Sequence, residues 1–306
     1  MKKVVAILLV LLVGCQFSAL PKKKPVPVEL AVGTSALEVS FNPASMSNIL
    51  MCQEADVLVG TRNAGVFDVQ DGTYALIAEE QVLTPLGDKQ RAFSLAGRSQ
   101  FNPPGGFDQV VFKLKSVGLP EQLESYSSPA IFQACYRYKT FAAGPVCIDP
   151  DVRNLNPRKP CRTGSVVLAG GQGAPVAVTK VESVMVPEGD RVKPVFSISV
   201  QHLGTGSVIT EEGVAVACTS GREAGELLAS LAKVDVRLQN RKLTCSPEPV
   251  RLEAGKESRV VCEGDELYNI AQGTFSSILS IELSYGYVST AVLPMTITRL
   301  PGQKAC

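Results

Sequence analysis

Short runs rich in valine, isoleucine and leucine recur along the chain, and each run stops at glycine, proline, asparagine or aspartate. Such punctuated runs are typical of β-strands joined by turns, at the spacing of a β-sandwich. The first series of predicted strands covers 37–41, 56–62, 73–78, 91–96, 110–115, 131–139 and 145–148. The second covers 176–183, 195–201, 214–218, 233–238, 250–252, 258–262, 278–288 and 294–298. The pattern predicts an all-β protein.

A break in this pattern separates the two series. Residues 162–175 include the glycine-rich sequence AGGQGAP, which is typical of a link between domains. We therefore expect two tandem immunoglobulin-like sandwiches, the first over 30–161 and the second over 176–306. Two further segments, 43–51 and 225–232, are candidates for helical turns between strands.

The two series share an internal repeat. Residues 135–148 align with 284–297 without a gap at an offset of 149, and 59–65 align with 198–204 at an offset of 139. The longer match carries Tyr-x-Tyr in both copies, as Tyr136 and Tyr138 and as Tyr285 and Tyr287. Residues two apart in a strand share one face, so the two tyrosines of each copy should stand side by side. The repeat indicates a duplication in which each half ends in a hairpin.

The first fourteen residues have the form of a signal peptide. Lys2 and Lys3 precede an apolar run, Val4–Val13, which is shorter than the ~20 residues that a membrane-spanning helix needs. The sequence LVGC that ends at Cys15 resembles the lipobox of prokaryotic lipoproteins, which implies cleavage before Cys15 and a thioether-linked lipid on that residue. Two alternatives stay open, namely an ordinary cleaved signal peptide and an uncleaved helix that extends to Leu20.

Residues 15–29 are predicted to form a lipid-anchored stalk. Prolines keep such a segment extended, and the three consecutive lysines, Lys22 to Lys24, favour anionic headgroups. All three interpretations of the N-terminus place the rest of the chain outside the cytoplasm, on the cell-surface or periplasmic side. The lipid anchor or the uncleaved helix would also make the membrane a partner.

Charge and cysteine content narrow the classes of function. Thirty Lys and Arg residues against 29 Asp and Glu residues leave a net charge of +1, which provides no basic field for nucleic acid. Nine cysteines are many for a cytosolic protein but are common where disulfides persist. The composition therefore agrees with an extracytoplasmic protein.

Two disulfides are predicted from hairpin geometry, because facing strand positions are close enough to bridge. They join Cys135 to Cys147 and Cys245 to Cys262. The first pair requires the chain to turn near Phe141. The main alternative joins Cys147 to Cys161.

One predicted turn resembles the Asn-x-Gly turn of CARDB-like domains, which are immunoglobulin-like sandwiches of prokaryotic cell surfaces. It reads Arg62-Asn63-Ala64-Gly65 in the first half, whereas the second half has His202-Leu203-Gly204 and lacks the asparagine. The sequences CYRYKT, VCIDP and GGQGAPVAVTKVE are also similar to those of uncharacterised secreted archaeal proteins. These resemblances imply a tandem sandwich at the cell surface and imply no activity.

Residues that commonly carry catalysis are scarce. The sequence has one histidine, His202, at a predicted strand end, where a structural role is expected. Asp149, Asp151 and Asn154 offer oxygen ligands for calcium, but their spacing fits no calcium loop and favours a strand-ending turn. We therefore predict no catalytic residue, metal or cofactor. The alternative is an envelope hydrolase or solute-binding component with a carboxylate-based site, which leaves no sequence signature.

The most distinctive loop runs from Ser99 to Asp108 and carries Phe101, Asn102 and Phe107 as candidate binding residues. Loops on a rigid sandwich commonly carry binding. The alternative is that both phenylalanine rings point inward and clamp a hairpin turn. The expected function is that of a non-catalytic, membrane-tethered protein that binds an envelope protein or polysaccharide.

Overall fold

The computed structural model describes residues 31–42, 45, 47–219, 229–303 and 306. Of these residues, 56% lie in strands and 3% in helices, which confirms the all-β prediction. The predicted signal peptide, the lipidation site Cys15 and the stalk over 15–29 lie outside the described residues.

Within the described residues the chain forms 21 strands, one α-helix and one short 3-10 helix. The first nine strands are β1 (Leu37–Phe41), β2 (Asn48–Leu50), β3 (Glu54–Asn63), β4 (Val69–Ile77), β5 (Leu83–Leu86), β6 (Gln90–Leu95), β7 (Phe107–Ser116), β8 (Ser125–Ser127) and β9 (Ala130–Ile148). The others are β10 (Ser165–Val167), β11 (Val176–Glu188), β12 (Arg191–His202), β13 (Ser207–Ile209), β14 (Leu231–Leu238), β15 (Arg241–Lys242), β16 (Thr244–Ser246), β17 (Val250–Arg251), β18 (Glu257–Glu263), β19 (Tyr268–Asn269), β20 (Phe275–Leu293) and β21 (Thr296–Thr298). The helices are α1 (Val214–Ala217) and the 3-10 helix Ile270–Gln272.

These strands build one large sheet and three smaller ones. Their strand orders are β15-β14-β20-β9-β4-β6, β1-β3-β7-β5, β10-β11-β12-β18-β16 and β2-β21-β8, and every strand pair except β2 with β21 is antiparallel. The ring of Phe112 on β7 stands 6.1 Å from that of Phe132 on β9, and the hydroxyl of Thr140 on β9 donates to the carbonyl of Val176 on β11 at 2.6 Å. Phe132 and Thr140 share one face of β9, so the sheets that contain β7 and β11 both pack on the same side of the large sheet.

The antiparallel pair of β9 and β20 forms the centre of the molecule. Each strand is 19 residues long, and the two are paired along their whole length. The predicted turn near Phe141 is therefore wrong, because Phe141 lies in mid-strand opposite Glu282. The backbone stays extended there since β20 supplies hydrogen-bond partners along all of β9, and the second half of β9 needs no hairpin to be paired.

Residues 214–218 were expected to form a strand, but most of them form α1. Val214 and Cys218 are four residues apart, so they lie on one side of the helical turn. There they pack with Ala75, Cys135 and other residues in a small apolar cluster on the outer face of the large sheet. An apolar run of this length suits a buried helical turn as well as a strand.

The other expected connecting segments also differ from the prediction. The predicted linker 162–175 contains β10, which pairs with β11, and the Gln172 side chain bonds the backbone N–H and C=O of Val178. Of the predicted helical turns, the segment 43–51 contains β2 and residues 231–232 begin β14. Residues 220–228 lie outside the described part of the chain.

A single cluster of buried apolar side chains extends through both halves of the chain, from Leu37 in β1 to Ile297 in β21. Among its largest fully buried members are Phe132 and Phe196, one from each half. The two halves therefore share one continuous core across the β9–β20 pair.

Four disulfides fasten this fold. They are Cys52–Cys306, Cys135–Cys218, Cys147–Cys161 and Cys245–Cys262. The predicted pairing of Cys245 with Cys262 is confirmed, since these residues face each other across β16 and β18. The predicted pairing of Cys135 with Cys147 is wrong, because an extended strand holds residues at these positions about 40 Å apart. Cys147 instead bonds Cys161, the alternative partner, and Cys135 bonds Cys218 next to α1.

Candidate functional site

Four buried tyrosines lie where the two long strands cross from one half of the molecule to the other. Tyr136 stands opposite Tyr287, and Tyr138 stands opposite Tyr285. Their ring centroids are 5.9 Å and 6.4 Å apart, respectively. Because Tyr136 corresponds to Tyr285 in the repeat, the pairing relates the two halves by an approximate twofold axis.

The second tyrosine of each Tyr-x-Tyr sequence, Tyr138 or Tyr287, is held by contacts that match at the repeat offsets. The Tyr138 hydroxyl donates to Asn63 Oδ1 at 3.2 Å and accepts from the backbone N–H of Phe67 at 3.3 Å. In the second half, His202 Nε2 lies 3.2 Å from the Tyr287 hydroxyl, which accepts from the backbone N–H of Gly206 at 2.8 Å. The histidine therefore occupies the place of the asparagine.

The first tyrosine of each Tyr-x-Tyr sequence, Tyr136 or Tyr285, is held by contacts that match in the same way. The Tyr136 hydroxyl accepts from the N–H of Leu37 at 3.1 Å and lies 2.9 Å from Ser289 Oγ, which donates to the Leu37 carbonyl. The Tyr285 hydroxyl lies 3.0 Å from Thr140 Oγ1, which donates to the Val176 carbonyl. These contacts attach β1 and β11 to the large sheet in equivalent ways.

Burial sets the ionisation of this cluster. Desolvation raises the pKa of Tyr136, Tyr138 and Tyr285 and raises that of Tyr287 to about 12. Desolvation also lowers the pKa of His202, so its imidazole is held neutral. Neutral phenols that are bonded to backbone groups connect sheets, so the four tyrosines and His202 have structural roles.

The aspartates considered for calcium enclose a lysine. Lys159 Nζ lies 2.7 Å from Asp149 Oδ2 and donates to the Asp151 carbonyl at 2.8 Å. The backbone N–H of Asn156, then that of Leu155, lowers the pKa of Asp151 by donating to its carboxylate. The ammonium group of Lys159 thus occupies the position between the two aspartates that a bound calcium ion would need. Among the described residues, no group of three or more His, Cys, Asp and Glu side chains is arranged to hold a metal ion.

The loop between β6 and β7, together with the first residue of β7, presents two aromatic rings to solvent. The side chain of Phe101 is 98% exposed and that of Phe107 is 66% exposed. The interpretation in which both rings point inward is therefore wrong. Both rings are therefore accessible from solvent.

Hydrogen bonds and close packing hold this aromatic loop, residues 98–107, in one shape. Asn102 and Ser99 bond each other twice, through the Asn102 carbonyl and the Ser99 hydroxyl. Gly105 has a φ of +82°, and a Cβ there would lie 1.8 Å from the Asn63 carbonyl oxygen. The Gly106 N–H donates to the Ala96 carbonyl at 2.7 Å. Asn102 thus braces the loop through its backbone groups. The ring of Phe101 is free for contact, whereas the ring of Phe107 packs over Gly60 on one side and is open to solvent on the other.

A cleft of about 270 Å³ lies beside the outer edge of β1. Its lining is mainly hydroxyl and backbone groups, with Tyr287, Ser289 and Thr290 on the β20 side. Among the described residues that line this cleft, Glu38 is the one carboxylate, and Arg62 binds it at 2.5 Å.

No family model and no curated protein matches this chain. Among the described residues, no helix has the length and apolar character to cross a membrane. The CARDB-like resemblance and the membrane anchor are thus supported only by the sequence patterns.

Sequence reasoning found the aromatic loop and the tyrosine repeat but missed the partners of the tyrosines. One signal was available, since the repeat aligns Asn63 with His202 and Gly65 with Gly204. A polar residue followed two positions later by glycine in both halves indicates a shared contact with a third group. That group is the tyrosine hydroxyl, which a Cβ on Gly65 or Gly204 would approach to 1.9 Å or 2.3 Å.

Proposed function

We propose that this chain is a non-catalytic extracytoplasmic protein that is tethered to a membrane through Cys15 and binds an envelope protein or polysaccharide. The observation that carries the proposal is the fully exposed ring of Phe101 on a braced loop. Aromatic side chains contribute a large contact area at interfaces, and a loop that is already ordered loses little entropy on binding.

The proposed architecture is a pair of immunoglobulin-like, CARDB-like sandwiches that share the large sheet. The matched tyrosine contacts support a duplicated unit, and the β1 and β11 sheets give each unit its second layer. Four disulfides fit an oxidising compartment outside the cytoplasm. Broad sheet faces and edge strands suit contact with a large partner better than enclosure of a small one.

The non-catalytic part of the proposal rests on how the chemically capable residues are used. His202 bonds Tyr287, Asp149 and Asp151 hold Lys159, and the buried tyrosines connect sheets. Each of these groups has a structural partner in place of a substrate.

The test is capture of a partner by the full-length protein from detergent-solubilised envelopes. The variant Phe101→Ser with Phe107→Ser should lose most of the capture while its unfolding temperature stays close to that of the wild type. Phe141→Ser, at a half-exposed aromatic position on β9, serves as the matched control and should capture normally.

Two results would count against the proposal. One is equal capture by the wild type and the Phe101/Phe107 variant. The other is hydrolysis of a glycan or peptide by the purified protein that a single Asp or Glu substitution abolishes.

A further inference from the structure

A second surface, separate from the aromatic loop, is built by residues 149–162, which we call the arginine loop. The Cys147–Cys161 disulfide closes it at the base. Inside it, Lys159 binds Asp149 and Asp151, and Thr274 donates to Asp149 Oδ1 at 2.7 Å. The loop thus has a fixed shape although it contains no regular strand or helix.

The arginine loop forms one wall of a groove of about 580 Å³. The turn between β11 and β12, with Pro187 and Arg191, forms the opposite wall, and Ile270 of the 3-10 helix contributes to the lining. Val152 and Leu155 line the groove from the arginine loop, and Leu155 is 71% exposed. The groove therefore combines aliphatic side chains with open access to solvent.

The charge on this surface is unbalanced. Arg153, Arg158 and Arg162 make no ion pair with any carboxylate in the described part of the chain, because the loop's own two aspartates hold Lys159. Across the groove, Arg191 has only a long contact of 3.9 Å with Asp190, whose side chain is almost fully exposed. Arg153 and Arg191 line the groove together with Asp190 and with Asp151, which Lys159 neutralises, whereas Arg158 and Arg162 lie on the arginine loop outside the lining. The groove therefore carries more guanidinium groups than free carboxylates.

Unpaired arginines and aliphatic side chains on fixed walls suit a particular kind of ligand. A guanidinium binds a carboxylate through two parallel hydrogen bonds, which Arg153 and Arg191 are placed to offer from opposite sides of the groove. Leu155, Val152 and Ile270 would bury aliphatic groups between these charges. Because the disulfide and Lys159 hold the wall in place beforehand, little loop ordering opposes binding.

We propose that this groove binds an extended acidic polypeptide segment that alternates carboxylate and aliphatic side chains. A concave site with walls on two sides fits a chain segment, whereas a bilayer surface would meet only its rim. This site shares no residue with the aromatic loop, so it stands or falls independently of the proposed function of that loop.

The test begins with an unbiased display library of random dodecapeptides, selected on the full-length wild-type protein. The expected outcome is enrichment of peptides rich in Asp and Glu with interspersed Leu, Ile or Val. Binding of the selected peptides, measured by fluorescence anisotropy, should weaken at least tenfold in Arg153→Ser with Leu155→Ser and should weaken as salt rises.

The matched control is Arg251→Ser with Val261→Ser, which removes the same two kinds of exposed side chain from β17 and β18. It should bind the selected peptides as the wild type does. Thermal unfolding of both variants shows whether the fold is kept, and Arg153→Glu alone provides a second variant that leaves Leu155 in place.

Three outcomes would overturn the proposal. The first is that the selected peptides are not acidic. The second is that they bind the groove variants and the control variant equally well. Alternatively, the protein binds vesicles of phosphatidylglycerol through Arg153 and Leu155 while no acidic peptide binds there, which would make the surface a membrane contact. Loss of partner capture in the Phe101 variant with retained peptide binding would separate this site from the aromatic loop.

Discussion

At the level of single residues, His202 and Asn63 occupy the same place in the two halves, but only the histidine can titrate. Burial lowers the pKa of His202, so the unfolded chain takes up a proton more readily than the folded one. Above about pH 6.5, the pKa of histidine in an unfolded chain, His202 is neutral in both states and protonation costs the fold no stability. The free energy of unfolding falls as the pH drops below that value, and it levels off below the folded-state pKa of His202.

Because the pKa of His202 is lowered by burial, His202→Asn should lose less stability on acidification than the wild type. Asparagine is the residue that the first half uses at this position, so the contact to Tyr287 has a precedent in Asn63 and Tyr138. The measurement is the unfolding temperature of both proteins between pH 8 and pH 5. Parallel curves for the two proteins would show that His202 does not carry the pH dependence.

The glycines that follow these residues give a second prediction at the same scale. A Cβ on Gly65 would lie 1.9 Å from the Tyr138 hydroxyl, and one on Gly204 would lie 2.3 Å from the Tyr287 hydroxyl. Since the tyrosines are fixed by backbone groups, each Gly→Ala change should destabilise the protein by about 1–3 kcal/mol, as overpacking does.

Gly164→Ala is the control for the glycine prediction, because a Cβ there meets no atom within 4 Å. Denaturant titration of the three variants should place Gly164→Ala near the wild type. A similar free energy of unfolding in all three would contradict the steric account of the Asn-x-Gly and His-x-Gly turns.

At the level of elements, local patterns predicted strands well and their ends poorly. The predicted strand 37–41 matches β1, because its apolar residues and the adjacent asparagine are local signals. The runs 131–139 and 145–148 are parts of one strand, since the partner that keeps β9 extended is β20, more than a hundred residues away. The same limit explains α1, whose formation depends on the apolar patch and on Cys135 in a distant strand.

The candidate sites follow the same rule. The sequence singled out Phe101 and Phe107 because a loop rich in turn residues with aromatics is visible locally. The arginine loop was not recognised, because Arg153 is unpaired only if another cation binds Asp149 and Asp151. The cation is Lys159, and only the folded loop shows that it, and not an arginine, binds these aspartates.

The disulfides allow a prediction at the level of elements. Cys147–Cys161 closes a loop with a sequence separation of 14, whereas Cys52–Cys306 spans 254 residues. In the chain-entropy model the shorter bond contributes about 3 kcal/mol, and the longer one contributes about 2.5 kcal/mol more. Replacing both cysteines of each pair with serine should therefore lower the free energy of unfolding more for Cys52–Cys306.

Denaturant unfolding of the two double-serine variants measures this difference. The arginine loop provides an internal check, since loss of Cys147–Cys161 should also weaken binding of peptides that depend on Leu155. The reverse order of stabilities would show that the disulfides act mainly through the folded state and not through the entropy of the unfolded chain.

At the level of the whole molecule, the β9–β20 pair decides whether the halves can exist apart. β9 and β20 pair with each other along their whole length, and the first part of each strand also pairs with a strand of its own half, β4 for β9 and β14 for β20. Tyr138 and Tyr285 pack against each other across this boundary, and the buried core continues through it. A duplicated chain with this arrangement resembles a dimer whose two subunits have been joined into one polypeptide.

This arrangement predicts that neither half folds alone. A fragment that ends before residue 169 would expose the inner face of the second part of β9, and the complementary fragment would lose the strand opposite Tyr285 and Tyr287. Expressed separately, both should be insoluble or unfolded by circular dichroism. Expressed together, they should form a stoichiometric complex that unfolds in one transition, because the core and the 19-residue ladder are restored. If either fragment were monomeric and cooperatively folded by itself, the halves would be independent domains and the shared sheet would be a contact between them, not the basis of the fold.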